Sequence, residues 1–92
     1  MIKSIKHKGL SKVHKTGNTA GIQVKHAKRL RLQLTILESA KRKDDLSRPG
    51  FQFHELKGNF KSRYAISVSG NWRLTFEFRD GDVYVLDYKD YH

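Results

Sequence analysis

The chain contains no cysteine, which excludes disulfides and thiolate metal sites and makes it compatible with a reducing compartment. Its apolar runs are only a few residues long, too short to span a bilayer. The opening MIKSIKHKGL has no apolar stretch of the kind a secretory signal needs. These absences predict a cytoplasmic, unexported protein without a membrane partner. Carboxylates are scarce, with 9 Asp and Glu against 19 Lys and Arg, and the net charge is +10. The scarcity is local: residues 1–48 hold 13 basic and 3 acidic side chains, whereas residues 49–92 hold 6 of each. A first half so basic suggests a polyanion or an acidic partner. The plainer reading is a basic domain kept soluble by its charge. Ninety-two residues predict one small domain with a single core, residues 1–92.

Residues 2–6 (IKSIK) alternate like a short strand. Residues 9–17 fit one short helix stopped by Gly17. Over residues 22–40, Ala27, Leu30, Leu34 and Leu37 recur at three- and four-residue intervals, the signature of an amphipathic helix. Its other face carries Lys25, Lys28, Arg29 and Arg31, normally just solvated charge but a reasonable phosphate-backbone surface given the regional excess of cations. A polar connection follows and ends at Pro49-Gly50.

Beyond residue 50 the period changes to two. Phe51 and Phe53 alternate with Gln52 and His54, and Leu56-Lys57-Gly58-Asn59 closes that strand at a turn. Tyr64, Ile66 and Val68, then Trp72, Leu74, Phe76 and Phe78, then residues 83–88 predict three strands in an antiparallel meander, with turns at Ser69-Gly70 and Asp80-Gly81. Helices in residues 1–48 and strands in 49–92 predict an α+β fold with the helices on one face of a mainly antiparallel sheet. A three-residue first turn aligns the apolar sets of the first two strands and sends Arg73, Thr75 and Glu77 to the face away from the helices. For the second hairpin the pattern leaves two registers open, Phe78 opposite Val83 or opposite Tyr84. Either one brings residues 89–92 beside residues 70–73.

The closing DYKDYH therefore lies along GNWR, which gathers Asn71, Arg73, Asp90, Tyr91 and His92, with His54 and Lys57 on a neighbouring strand and turn. Imidazoles, cations, an amide and a phenol suit cleavage of RNA without a metal or other cofactor. That reaction needs a base for the 2′-hydroxyl, positive charge on the phosphate and an acid for the leaving oxygen. Each residue also has a plain explanation: His54 as a sheet-surface histidine, Lys57 as a loop lysine, Arg73 as a cross-strand partner, Trp72 as core. His7, His14 and His26 fit no metal-ligand spacing.

The segment FHELKGNFKSRYAISVSGNWRLTFEF, the turn RDGD and the terminal DYKDYH resemble the HigB-type toxins of the RelE/ParE superfamily, and the likeness extends over nearly the whole chain. The resemblance implies a small RelE-like domain acting as a ribosome-dependent messenger-RNA endonuclease that inhibits translation. It also implies a cognate helix-turn-helix antitoxin, and contact with operator DNA only through the antitoxin complex. Carried over by position, it implies His54, Lys57, Asn71, Arg73, Asp90, Tyr91 and His92 as active-site residues. His92 and His54 would be base and acid, Arg73 and Lys57 would hold the phosphate, Tyr91 would stack on a base, Asp90 would orient His92 and Asn71 would position the nucleotide. Two other readings stay open. One is a gyrase inhibitor like the ParE branch, which need not keep His54 or the Asp-Tyr-His end. The other is a non-catalytic basic nucleic-acid-binding module.

Overall fold

The computed structural model describes residues 1–57 and 63–91. Among these, helix α1 (Lys8–Thr16) and helix α2 (Ala27–Ser39) precede a sheet of β1 (His54–Glu55), β2 (Arg63–Ser69), β3 (Trp72–Arg79) and β4 (Asp82–Asp90) in that spatial order. All three pairings are antiparallel. The predicted α+β arrangement is the one observed. No helix of the described residues is long and apolar enough to cross a membrane.

Helix α1 stops where expected. Gly17 adopts φ 79° and donates its N–H to the Val13 carbonyl at 2.9 Å, a left-handed cap that costs glycine little. At the other end the His7 ring accepts the Leu10 N–H at 3.1 Å. Gly9 is buried, and a Cβ there would collide with the Gly21 carbonyl oxygen; only hydrogen fits this approach of two chain segments.

Helix α2 begins five residues later than its periodicity suggests. Residues Val24–His26 form a tight 3₁₀ turn, and His26 is drawn inward by a hydrogen bond to Tyr88. Leu30, Leu34 and Leu37 then face the sheet with Ile36, and so does Gln33, which is fully buried and donates to the Ser67 carbonyl at 2.7 Å. A second 3₁₀ turn, Lys43–Leu46, comes next. Asp45 ties it by accepting the N–H groups of Lys41 and Arg42 at 2.9 and 3.1 Å, and these bonds hold its carboxyl below the usual range.

Two predicted strands are shorter than expected. Residues 2–6 make only two parallel bridges to β4, Ile2 to Val83 and Ile5 to Leu86. Of residues 51–55 only His54 and Glu55 form ladder pairs with β2, and Phe51 accepts a single bond from the Ser67 N–H at 2.6 Å, because Gln52 turns to φ 48° and breaks the extended run. The turn expected at Gly58-Asn59 lies outside the described residues.

The meander has the predicted order. In the first hairpin Tyr64 lies opposite Phe76 and Ile66 opposite Leu74, the register that a three-residue turn requires. A bulge between Ser67 and Ser69 then brings Ser69 opposite Trp72 and shortens the turn to Gly70-Asn71. In the second hairpin both candidate registers occur in succession. Phe78 pairs with Val83 and Glu77 with Tyr84, whereas Thr75 pairs with Asp87 and Arg73 with Lys89. A bulge at Val85, φ 53°, joins the two. It inserts one residue and so flips the phase of the rest of the strand: Leu86 and Tyr88 enter the core, while Asp87 and Lys89 go to the face away from the helices. One cluster of buried side chains, including Leu10, Leu30, Leu37, Ile66, Leu74, Phe76, Leu86 and Tyr88, fills the space between helices and sheet.

Candidate active site on the sheet face away from the helices

The sheet face away from the helices is organised in rows, and Ala65 and Thr75 at its centre are buried. His54 pairs with Ala65, Ala65 with Thr75, and Thr75 with Asp87; in the next row Ser67 pairs with Arg73 and Arg73 with Lys89. Cross-strand neighbours in such rows stand about 5 Å apart. Beside them lies a cleft of about 490 Å³ lined by Lys6, Leu56, Lys57, Arg63, Val85, Asp87, Lys89 and Tyr91. Four of these side chains are cations and one is a carboxylate. Lys89 approaches Asp87 at 3.9 Å, and Asp87 also accepts the Tyr88 N–H at 3.0 Å. A loose pair of that kind is weak in water, so the cleft keeps its positive character.

The carboxyl end is held. Tyr91 donates its N–H to the Asn71 carbonyl at 2.8 Å, and Asp90 stands opposite Trp72. Thus residues 89–91 run beside residues 71–73, as the strand count predicts; His92 lies outside the described residues. Tyr91 remains 40% exposed, its ring available at the mouth of the cleft. Asn71 meets it through its carbonyl group. Arg73 donates through Nη1 to the carbonyl oxygens of Gly70 and Trp72 at 2.6 and 3.0 Å, so the arginine also braces the turn.

His54 is exposed, and its Nδ1 lies 2.9 Å from the Gln52 carbonyl. A carbonyl only accepts, so Nδ1 carries the proton and the neutral ring offers a basic Nε2. Lys57 is exposed and reaches the cleft. Asp90 differs from its expected placement. The pairing with Trp72 puts it on the opposite side of the strand from Lys89 and Tyr91, because alternate residues of a strand face opposite ways. The carboxylate lining the cleft is instead Asp87.

The basic helix face is also not uniform. Lys25 and Lys28 are exposed. Arg31 donates to the Gly17 carbonyl at 3.3 Å and lines a separate groove between the two helices with Val13 and Leu34. Arg29 is half-buried, donates to the carbonyls of Gly50 and Ser67 at 2.8 and 3.1 Å, and lies over the Phe51 ring. It joins α2 to the sheet and is turned away from the phosphate surface expected of it. Among the described residues no group of three or more His, Asp and Glu could hold a metal ion.

Lys6, Arg63, Asp87 and Lys89 are not singled out by the sequence pattern. Asp87, Lys89 and Tyr91 share the two-residue spacing of one strand face, a signal that becomes readable once the Val85 bulge is known. Lys6 arrives through the pairing of the amino-terminal segment with β4, a contact between chain ends that no local pattern encodes.

Residues 3–92 match the model of a family described as RelE-like toxin of type II toxin-antitoxin system HigB. Endoribonuclease HigB of Proteus vulgaris is 40% identical over 92 residues, which is all of both chains. A toxin of a type II system has an antitoxin as its partner. The match runs through both the helices and the strands that build the cationic cleft, and the chain belongs to the HigB-like family of RelE-like toxins of type II toxin–antitoxin systems.

Proposed function

We propose that the chain is an endoribonuclease that cuts messenger RNA on the ribosome and thereby stops translation. The observation that carries this reading is the cleft of Lys6, Lys57, Arg63, Lys89 and Tyr91 beside Arg73 on the face away from the helices, in a chain similar over its whole length to an endoribonuclease. In the reaction the 2′-oxygen forms a bond to the adjacent phosphorus while the bond from phosphorus to the 5′-oxygen breaks. A base removes the 2′-proton and an acid protonates the departing oxygen, leaving a 2′,3′-cyclic phosphate and a 5′-hydroxyl. His54 and His92 are the proton carriers. Lys57 and Arg73 stabilise the charge that builds on the phosphate oxygens. Tyr91 stacks on a base, and Asn71 and Asp90 order the end of β4, next to Tyr91.

A shallow cleft supplies charge but few groups to align a flexible strand, and alignment carries much of the barrier. The ribosome's grip on the message provides it, with Lys25 and Lys28 on ribosomal RNA phosphates. The reading places the protein in the cytoplasm. The antitoxin, a helix-turn-helix protein, neutralises the toxin and carries the complex to operator DNA.

The test is cleavage of a defined message by the purified protein with and without translating ribosomes, with the product ends identified. Cyclic or 3′-phosphate ends appearing only with ribosomes are expected. His92→Ala and Arg73→Ala should each lose about two to four orders of rate. Intact message, or inhibition of gyrase supercoiling in a ribosome-free assay, would overturn the reading.

A further inference from the structure

Tyr88 lies one residue from the cleft-lining pair Asp87 and Lys89 but points the other way, into the core, where it is 4% exposed. Its phenol oxygen is 2.5 Å from Nδ1 of His26, on the turn that opens α2. Its ring stacks on Trp72 with centroids 4.5 Å apart and meets the edge of His7 at 5.2 Å. His26 in turn meets Trp72 edge-on at 5.6 Å, and His7 caps α1. One phenol thus joins the entrances of both helices to the start of β3, three residues before Tyr91.

Hydrophobic burial does not require this arrangement. A phenylalanine at position 88 with a leucine at 26 would fill nearly the same volume and leave no polar atom of the pair to satisfy. The His26 Nε2 is buried and finds no hydrogen-bond partner among the described residues, so the imidazole costs free energy where an apolar side chain would not. What a hydrogen bond adds to apolar packing is direction.

We propose that the Tyr88–His26 pair is a latch that positions the carboxyl end of β4, fixing Lys89 and Tyr91 on the cleft side opposite Lys57. Tyr88 and His26 are positioning residues and touch no substrate; the functional part of the proposal rests on the ribonuclease reading of the cleft. The latch works from the core side of the strand, and the Tyr91–Asn71 bond secures the same end at the turn.

Two variants test it. Tyr88→Phe keeps the ring stack and removes the bond to His26 together with the one from the Gln23 backbone. Amide exchange at Tyr91 should accelerate about tenfold while that at Leu74 and Phe76 is unchanged, and kcat for cleavage of ribosome-bound message should fall about tenfold with KM unchanged. Emission of Trp72, the only tryptophan, reports the altered cluster. The double variant Tyr88→Phe, His26→Leu leaves no polar atom of this pair buried and unpaired, and it should regain thermal stability. Its Tyr91 exchange should stay fast and its cleavage slow. A double variant that recovers wild-type exchange and rate, or a Tyr88→Phe protein with wild-type exchange at Tyr91, would overturn the latch. If the wild-type protein leaves message intact on translating ribosomes, the ribonuclease reading fails, and the exchange measurements still decide the latch.

Discussion

Val85 is a β-branched residue at φ 53°, a conformation that costs an L-residue about 1–2 kcal/mol. The strand tolerates it because Val85 is the extra residue of a bulge, and because its N–H is bonded to the Ser4 hydroxyl at 2.8 Å while Leu86 bonds to the Ser4 carbonyl at 3.1 Å. Val85→Gly removes the strain and adds some chain entropy to the unfolded state. The net expectation is a gain of about 0.5–1 kcal/mol, seen as a melting temperature higher by several degrees. The opposite is expected at Gly9. There an added methyl meets the Gly21 backbone, which cannot rotate away as a side chain would. Gly9→Ala should lose about 1–3 kcal/mol in denaturant unfolding.

Among the elements, the turn before α2 has its own pH dependence. Burial, and then the neighbouring Lys25 charge, lower the His26 pKa from 6.5. The groups around it are Lys25 on its own turn, Tyr88 on β4, Trp72 on β3 and His7 across the Tyr88 ring. Burial and the Asp90 carboxylate raise the Tyr88 phenol above its usual value, against a bond from the Gln23 backbone, so it stays neutral throughout. Below about pH 6.5 the unfolded chain binds a proton at His26 that the folded chain refuses, so stability falls as the pH drops until the folded histidine also titrates. Melting measured from pH 7.5 to 5 should show that decline. Its His26 share should vanish in the Tyr88→Phe, His26→Leu variant.

The elements also differ in how legible they are in the sequence. Helix α1 can be placed to within a residue because Gly17 marks its end and Leu10 and Val13 its buried face. The first hairpin register comes from Tyr64 and Ile66 needing the face of Leu74 and Phe76. The second does not, since both faces of Val83-Tyr84-Val85-Leu86 are apolar and the bulge leaves no compositional trace. Helix α2 is shorter than its periodicity predicts because a buried histidine bonded across the fold looks, in sequence, like one more residue of the helix.

At the scale of the whole molecule, charge dominates. A chain at +10 with exposed Lys25 and Lys28 and a cationic cleft should bind ribosomes with an affinity that falls steeply as salt rises. Lys25→Glu with Lys28→Glu should weaken ribosome binding and reduce the slope of log K against log salt by about one for each phosphate no longer neutralised. Binding competition at several salt concentrations checks this. An unchanged slope would mean that these lysines touch no phosphate.

The chain by itself determined the basic first half, the order of helices and strands and the side of the meander facing the core, because apolar periodicity and turn residues act over short stretches. It also placed residues 89–91 beside residues 71–73, since an antiparallel hairpin returns the chain by simple counting. Only the tertiary structure decided that Lys6 joins the cleft, that Asp87 lines it while Asp90 turns aside, and that Arg29 braces the sheet. Each of these depends on a bulge or on packing between distant segments, where a one-residue change of phase moves a side chain from one face to the other.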